Sequence, residues 1–227
     1  MPEEQAIVAR AATGDRRAFE QIYRAYAPTL FSYVLVPMLG DRDDAHDCLR
    51  ETFLAAYDLV LIDRIERALS AEEAAALEAF VKTSGRGMIT LIGYNFDNNN
   101  PGPERDRANT ALTPFGLAYQ GGYFGNAVIP TFDQNHPVSM DIMDVNFAGG
   151  IEPVDTGKQG TSVVFATVEG KTGGLAHQTA MMGGRVIVWG DEWLTFDSDW
   201  QGYADVQEFW VNMVKWAKPQ DFCGVPQ

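Results

Sequence analysis

The sequence predicts an α/β protein: an N-terminal three-helix unit, residues 1–57, followed by a mostly parallel sheet with flanking helices. Two observations predict this fold. Apolar residues recur at helical spacing through residues 19–34, whereas short runs of branched apolar residues begin directly after residue 58. Two of these runs, 59–62 and 88–92, flank a helix-forming segment, and a strand–helix–strand unit joins parallel strands by a right-handed crossover.

The first 57 residues predict three helices. Gly14 and Asp15 end the first of them. Pro28 and Pro37 are expected to kink or shorten the second, because proline removes a helical hydrogen bond. The third, at 41–56, completes the packing unit. The apolar stripe of the second helix consists of Phe19, Ile22, Tyr23, Tyr26, Leu30, Phe31 and Val34.

The α/β part, residues 58–218, begins with a strand at 59–62. This run is continuously apolar, so we expect the strand to be internal to the sheet and buried on both faces. The helix that follows has the sequence of a capping box, with Ser70 as the N-cap and Glu73 three residues later. The second buried strand is expected at 88–92.

The rest of the chain alternates between irregular and periodic segments. Residues 94–135 are rich in Asn, Gly and Pro, and they predict a long surface excursion. Further strands are expected at 161–168 and 185–189, and an amphipathic helix at 206–217 precedes a C-terminal tail, 219–227. The turns between the two strands are expected to contain Gly170, Gly173 and Gly174.

Composition and charge exclude several classes of function. The net charge of −14 opposes DNA binding by the chain alone, because phosphate contacts require clustered Lys and Arg. The two cysteines, Cys48 and Cys223, are too few for a disulfide framework, and no spacing indicates a metal site. No apolar run reaches the roughly 20 residues of a membrane span, and no signal peptide is recognised. We therefore expect a cytoplasmic protein with no membrane contact, no cofactor and no metal.

The N-terminal segment carries two motifs, "IVARAATGDRRAFEQIYRAYAPTLFSYVL" and "MLGDRDDAHDCLRETFLAAY". Over residues 7–57 it resembles region 2 of extracytoplasmic-function sigma factors. The resemblance implies contact with the RNA polymerase core through the third helix, by way of Asp47, Arg50 and Glu51. The promoter-melting segment that follows in the family is missing, and so is the C-terminal helix-turn-helix. A promoter-recognising sigma factor is therefore not expected.

The α/β part carries three further motifs, "YDLVLIDRIERALSAEEAAALEAFVKTSGRGMITLIGY", "DQNHPVSMDIMDVNFAGG" and "GGRVIVWGDEWLTFDSDW". It resembles non-catalytic relatives of class I glutamine amidotransferases, including the trehalose-utilisation type, which implies a flavodoxin-like fold. A working amidotransferase has a Cys after the second strand and a His–Glu pair after the last. Here the first turn reads Gly93-Tyr94-Asn95-Phe96 and the second Gly190-Asp191-Glu192. We therefore expect no catalytic residue.

Polar residues follow the same two strands, and ligands bind open α/β sheets at the carboxyl ends of strands. They could hold a cation or a small polar ligand. Alternatively, Asp191 and Ser198 cap turns and the tryptophans pack. A Ser–His–Asp triad could use Ser139, Ser162 or Ser198, but no GxSxG motif supports it. The ligand-binding candidates are Tyr94, Asn95, Asp191, Glu192, Trp193, Asp197 and Asp199.

Three functional hypotheses follow. In the first, the chain is a non-enzymatic regulatory protein that contacts RNA polymerase through a degenerate sigma region 2. In the second, it is a ligand- or carbohydrate-binding domain whose N-terminal helices only complete the fold. In the third, the junction near Tyr57 joins two unrelated pieces that have no integrated function.

Overall fold

The computed structural model describes residues 6–8, 10, 15–42, 58–83, 85–93, 100–125, 127–157, 160–180 and 183–219. The chain divides into two compact units, Met1–Tyr57 and Asp58–Gln227. Among the described residues, no helix is both long enough and apolar enough to cross a membrane.

The N-terminal unit contains one long helical segment. Helix α1, Arg16–Leu30, starts where Asp15 accepts hydrogen bonds from the amides of Arg17 and Ala18 (3.0 and 3.1 Å). It continues through a π-helical turn, Phe31–Leu35, into the short helix α2, Val36–Leu39. Pro28 therefore does not end the helix. The wider π turn begins three residues after it, where the helical hydrogen-bond ladder is already weakened.

One expectation for this unit is corrected, and another falls mostly outside the described residues. Tyr23 and Tyr26, placed in the apolar stripe, are 43% and 39% exposed, whereas Phe31 is buried. Most of the predicted third helix falls on residues 43–57, which lie outside the described residues. A three-helix unit is therefore not seen.

The second unit is built on a six-stranded mixed sheet. The strand order is β1-β2-β8-β7-β6-β4, and only β1, β2 and β8 run parallel to each other. The expectation of a mostly parallel sheet was therefore wrong, because β7, β6 and β4 each pair antiparallel with their neighbour. A second sheet pairs β3 with β5, antiparallel. The strands are β1 Leu59–Asp63, β2 Gly87–Leu91, β3 Leu117–Tyr123, β4 Thr131–Phe132, β5 Ile151–Asp155, β6 Thr161–Val168, β7 Lys171–Gln178 and β8 Arg185–Trp189.

Strand β7 was missed from the sequence because its glycines indicated turns. The turn lies earlier, at Glu169 and Gly170, whose positive φ angles of 51° and 78° suit a tight hairpin between β6 and β7. Gly174 lies inside β7 because aromatic rings pack directly on its backbone. A Cβ there would overlap the Phe165 ring and lie 2.8 Å from Trp189 Cε3.

Strand β1 is an edge strand within the described part of the sheet. It was expected to be internal and buried on both faces, and that expectation was wrong. Its residues are only partly buried, and Leu61 is 49% exposed. A continuous apolar run is therefore compatible with an edge position as well as with a central one.

Helix α3, Ala71–Glu78, has the capping box predicted for it. The Glu73 amide donates to Ser70 Oγ (3.2 Å), and the Ser70 amide donates to Glu73 Oε2 (2.9 Å). A π-helical turn, Ala79–Thr83, follows. The strand–helix–strand unit from β1 to β2 was thus predicted correctly.

The described part of residues 100–135 contains a helix and two strands, where the sequence predicted an irregular surface excursion. Helix α4, Pro101–Leu112, begins at Asn100, which accepts a hydrogen bond from the Gly102 amide (3.1 Å). A 3₁₀ turn, Thr113–Phe115, leads into β3. The proline-rich start that suggested a loop is instead the first turn of a helix, where the missing amide hydrogen of proline costs nothing.

The main core lies on the face of the sheet that helix α6, Val206–Ala217, covers. Trp189 is its centre: its ring is nearly parallel to that of Phe165 (11°), and the ring of Phe209 meets it edge-on. Helix α5, Asp197–Gly202, and the 3₁₀ turn Trp193–Thr195 connect β8 to α6. The segment after β8 is thereby fixed at the carboxyl end of the parallel strands.

Candidate functional site

Three parallel strands end at the same edge of the sheet, and acidic residues lie at or directly after these strand ends. Strand β1 ends at Asp63, β2 is followed by Gly93, and β8 is followed by Asp191 and Glu192. Crevices at the carboxyl ends of parallel strands are where open α/β sheets bind ligands. This edge is therefore the candidate site.

Glu192 lies directly over the backbone of Gly93. A Cβ at Gly93 would overlap Cγ and Cδ of Glu192, so the glutamate occupies the space that a side chain at residue 93 would need. Glu192 is only 3% exposed. The turn after β2 and the turn after β8 are thus in contact through one glycine and one carboxylate side chain.

Glu104 reaches the same point from helix α4. The Gly93 amide lies near enough to the Glu104 carboxylate to lower its pKa, so the start of this helix approaches the end of β2. Glu104 is 2% exposed, and within the described residues its Oε1 atom has no hydrogen-bond partner. A buried acceptor without a donor is costly, and in a native protein it requires a specific explanation.

Asp63 completes what we call the carboxylate cluster, defined as Asp63, Glu104 and Glu192. The three carboxylates lie close enough for each to act on the titration of a neighbour. Arg64 opposes them, and it adopts a positive φ of 49°, which is uncommon for a residue with a side chain. Backbone strain of this kind is concentrated at functional sites.

Burial dominates the titration of the carboxylate cluster. It raises the pKa of Glu192 to about 7, with further contributions from the negative charges of Asp63 and Glu104, while Arg64 acts in the opposite direction. Burial also raises the pKa of Glu104, against the Gly93 amide and the charges of Arg64 and Arg107. Partial burial raises the pKa of Asp63, again against Arg64. Glu192 is therefore poised to gain or lose a proton near neutral pH.

Two hydroxyl groups beside the carboxylate cluster are already committed. Tyr119 donates from its hydroxyl to the Trp189 carbonyl (2.9 Å), so Thr90 donates to the Tyr119 oxygen (2.9 Å). Burial raises the pKa of Tyr119 far above its usual value. These hydroxyls link β2, β3 and β8, and neither is available to donate a hydrogen bond to a carboxylate.

Asp191, although next in sequence to Glu192, has a different environment. Its Oδ2 accepts from the Ala148 amide (2.8 Å) and its Oδ1 from the Trp193 amide (3.2 Å). Burial raises its pKa well above the usual value, and the charge of Asp199 contributes. This aspartate fixes two loops to the end of β8, as the turn-capping alternative predicted.

The remaining sequence candidates are dispersed. Asp199 is buried on α5; burial raises its pKa, and the nearby side chain of Asn146 acts in the opposite direction. Asp197 is exposed in the first turn of α5, and Trp193 packs against Phe196 with ring centroids 5.3 Å apart. Among the described residues, no group of three or more His, Cys, Asp or Glu is arranged to hold a metal ion. Tyr94, Asn95, Asp47, Arg50, Glu51, Cys48 and Cys223 lie outside the described residues.

A serine does lie between an aspartate and a histidine, but in the wrong order for a catalytic triad. Ser162 Oγ hydrogen-bonds to Asp155 Oδ2 and lies 2.9 Å from His177 Nδ1. The acceptor carboxylate takes the serine hydrogen, so His177 must donate to Ser162 and cannot act as its base. Ser139 donates to the Asp133 carbonyl (2.6 Å) and is structural. The geometry therefore does not favour a hydrolase.

Sequence reasoning found Glu192 and missed its two partners. Asp63 was visible as the acidic residue that ends the first apolar run. Glu104 carried no such signal, because the segment around it was interpreted as a loop. Asn100 followed by Pro101, an N-cap and a first-turn proline, was the available sign that a helix begins there.

Comparisons with known proteins show the fold alone. No protein-family model and no curated protein sequence matches the chain. Among solved structures, Cytoplasmic Protein STM3548 from Salmonella typhimurium is similar with a TM-score of 0.57 and 15% identity, over 75% of this chain and 75% of that one. Cytoplasmic Protein STM1381 from Salmonella typhimurium LT2 gives a TM-score of 0.55 and 14% identity, over 74% and 75%.

Proposed function

We propose that residues 58–218 form a non-catalytic, amidotransferase-like domain that binds a small polar ligand at the carboxyl ends of β1, β2 and β8. The observation that carries this proposal is the carboxylate cluster, in which a buried oxygen of Glu104 has no partner within the described residues. Natural proteins rarely leave such an atom unmet, and a ligand donor would satisfy it.

The absence of catalysis rests on residue types. The turns that would supply the nucleophile and its base read Gly93-Tyr94-Asn95-Phe96 and Gly190-Asp191-Glu192, without cysteine or histidine. Of these residues, Glu192 fills the space above Gly93 and Asp191 is fully used as a loop anchor. The arrangement supports binding at the position where the related enzymes perform chemistry.

Ligand-induced thermal stabilisation tests the proposal. The chain would be melted with a panel of sugars, polyols, amines and amino acids at millimolar concentration, because a ligand that binds the folded state raises the Tm. We expect at least one compound to raise the Tm of the wild type and to lose this effect in Glu192→Gln. Glu208→Gln, on the exposed face of α6, is the matched control and should respond as the wild type does. A panel without effect, or an effect that survives in Glu192→Gln, would contradict the proposal.

Contact with RNA polymerase stays a prediction for the N-terminal unit. It rests on the motifs of residues 7–57 alone, and its three contact residues lie outside the described part of the chain. The fold and the site geometry favour the ligand-binding alternative.

A further inference from the structure

We propose that the carboxylate cluster recognises the cationic nitrogen group of its ligand, an ammonium or guanidinium, in preference to a neutral hydroxyl group. This inference rests on the proposed function and narrows the class of ligand. Three separate observations support it: the unmet Glu104 oxygen, the local charge, and the engagement of the two described hydroxyl groups beside the site.

The unmet oxygen requires a donor. Glu104 Oε1 is buried with no hydrogen-bond partner among the described residues. An ionised carboxylate only accepts hydrogen bonds, so its partner must carry N–H or O–H hydrogen. Both a hydroxyl and an ammonium group meet this requirement, and local charge distinguishes between them.

The charge at the site favours a cation. The charges of the three carboxylates influence one another's titration here. The described cations that lower their pKa values are Arg64, which acts on all three, and Arg107, which acts on Glu104. Buried charges are stable when they are paired, and a charge-assisted hydrogen bond is roughly twice as strong as a neutral one. An ammonium group would supply both the missing donor and the missing charge.

Within the described residues, the two hydroxyl groups beside the site are not available as donors to a ligand. The hydroxyls of Tyr119 and Thr90 are used in the chain of bonds that ends at the Trp189 carbonyl. A ligand carboxylate or phosphate would therefore meet carboxylates without compensating hydroxyl donors. Anionic head groups are disfavoured at this point for the same reason.

Cation binding should be coupled to proton release. Glu192 faces the carboxylates of Asp63 and Glu104 and the guanidinium of Arg64, and its pKa is raised to about 7. A bound cation favours the ionised carboxylate and lowers that pKa. At pH 7, binding of a cationic ligand would thus release, on average, a fraction of a proton from Glu192 per ligand bound. A neutral ligand would leave the protonation of Glu192 nearly unchanged.

Isothermal titration calorimetry with matched probes tests the inference. The pairs are D-glucosamine against D-glucose, and 1,4-diaminobutane against 1,4-butanediol, in which an ammonium replaces a hydroxyl. We expect the ammonium member of at least one pair to bind about tenfold more tightly. Its heat at pH 7 should change with the ionisation enthalpy of the buffer, which reports the proton released. Glu104→Gln and Glu192→Gln should each weaken it about tenfold, and Glu208→Gln should not.

Three outcomes would overturn the inference. One is equal or tighter binding of the neutral members, and another is ammonium binding that is insensitive to Glu104→Gln and Glu192→Gln. The first leaves the proposed function intact if that binding depends on Glu192. The third is that neither pair binds and the only ligand found among the compounds of the thermal-melt panel is neutral. A cationic ligand from that panel would instead support the inference. If no compound binds, both proposals fail. The wild-type comparison within each pair holds even where a variant fails to fold.

Discussion

Asp191 and the two glutamates of the carboxylate cluster are buried acids at the same end of the sheet, yet they are held in different ways. Both oxygens of Asp191 accept from backbone amides, those of Ala148 and Trp193. In the carboxylate cluster, Glu104 keeps a buried oxygen unmet, and Glu192 lies near two other carboxylates. A buried acid saturated with backbone donors has a structural role, whereas the unmet oxygen of Glu104, next to other carboxylates at the strand ends, is where we propose that a ligand binds.

The largest effect is expected at Asp191, which anchors two loops at the end of β8. Asp191→Ala leaves the amides of Ala148 and Trp193 without an acceptor, and it should lower the free energy of unfolding by about 3 kcal/mol. Urea denaturation measures this. Asp197→Ala is the control, because that aspartate is exposed and its loss should have little effect. A loss at Asp191 no larger than at Asp197 would remove the distinction between the two kinds of acid.

The contact between Gly93 and Glu192 provides a second test. Gly93→Ala should lower the free energy of unfolding by about 2 kcal/mol, because the added methyl group overlaps Glu192 and forces a rearrangement. The double variant Gly93→Ala/Glu192→Ala should recover most of that loss, and a double-mutant cycle measures the coupling. Gly122→Ala is the matched control, since a Cβ there meets nothing within 4 Å. Equal losses in the single and double variants would exclude this contact.

The pH dependence of stability distinguishes Glu192 from a carboxylate whose oxygens all accept hydrogen bonds. Its pKa in the folded chain, about 7, is above the usual 4.5, so between these values the folded state holds more protons than the unfolded state. Stability conferred by protonated Glu192 is therefore lost as pH rises from about 4.5 to about 7. Glu192→Gln removes this dependence and should be more stable than the wild type at pH 8 by about 1–2 kcal/mol. Denaturation curves at pH 5 and pH 8 measure the difference, and an equal effect at both values would refute the assignment.

The smallest effect is expected in the wall beside the carboxylate cluster. Thr90→Val keeps the shape of the side chain but removes its bond to Tyr119, which still donates to the Trp189 carbonyl. The loss should be about 1 kcal/mol. Thr90→Ser retains the hydroxyl and serves as the comparison in thermal melts. If Val were as stable as Ser, the hydroxyl chain would contribute nothing to the wall.

Local signals in the sequence predicted part of the fold well. The capping box of Ser70 and Glu73, the strands at 161–168 and 185–189 and the final amphipathic helix depend on short-range patterns, and all are present. Strand β7 and the edge position of β1 depend on tertiary packing. Gly174 is glycine because two aromatic rings cover it, and only the folded structure shows those rings.

The candidate site was predictable to the same limited degree. Glu192 follows a strand, so the general rule for strand ends found it. Its nearest neighbour at Gly93 is roughly 100 residues away in sequence, and Glu104 arrives from a helix that was interpreted as loop. No local sequence pattern indicates that Gly93, Glu104 and Glu192 lie close together in the fold. The rule also selected Asp191 and Asp197, which the structure assigns to a loop anchor and to the surface.

The order of strands in the sheet constrains how this domain can be made by a ribosome. Strand β8 is inserted between β2 and β7, so that Met88 pairs with Val186, a partner roughly 100 residues later in the chain. Until β8 has emerged, β2 presents an open edge, and β4, β6 and β7 can form only a separate antiparallel sheet. The sheet therefore closes late in translation, after Trp189 has left the exit tunnel, and the nascent chain is exposed to aggregation until that moment.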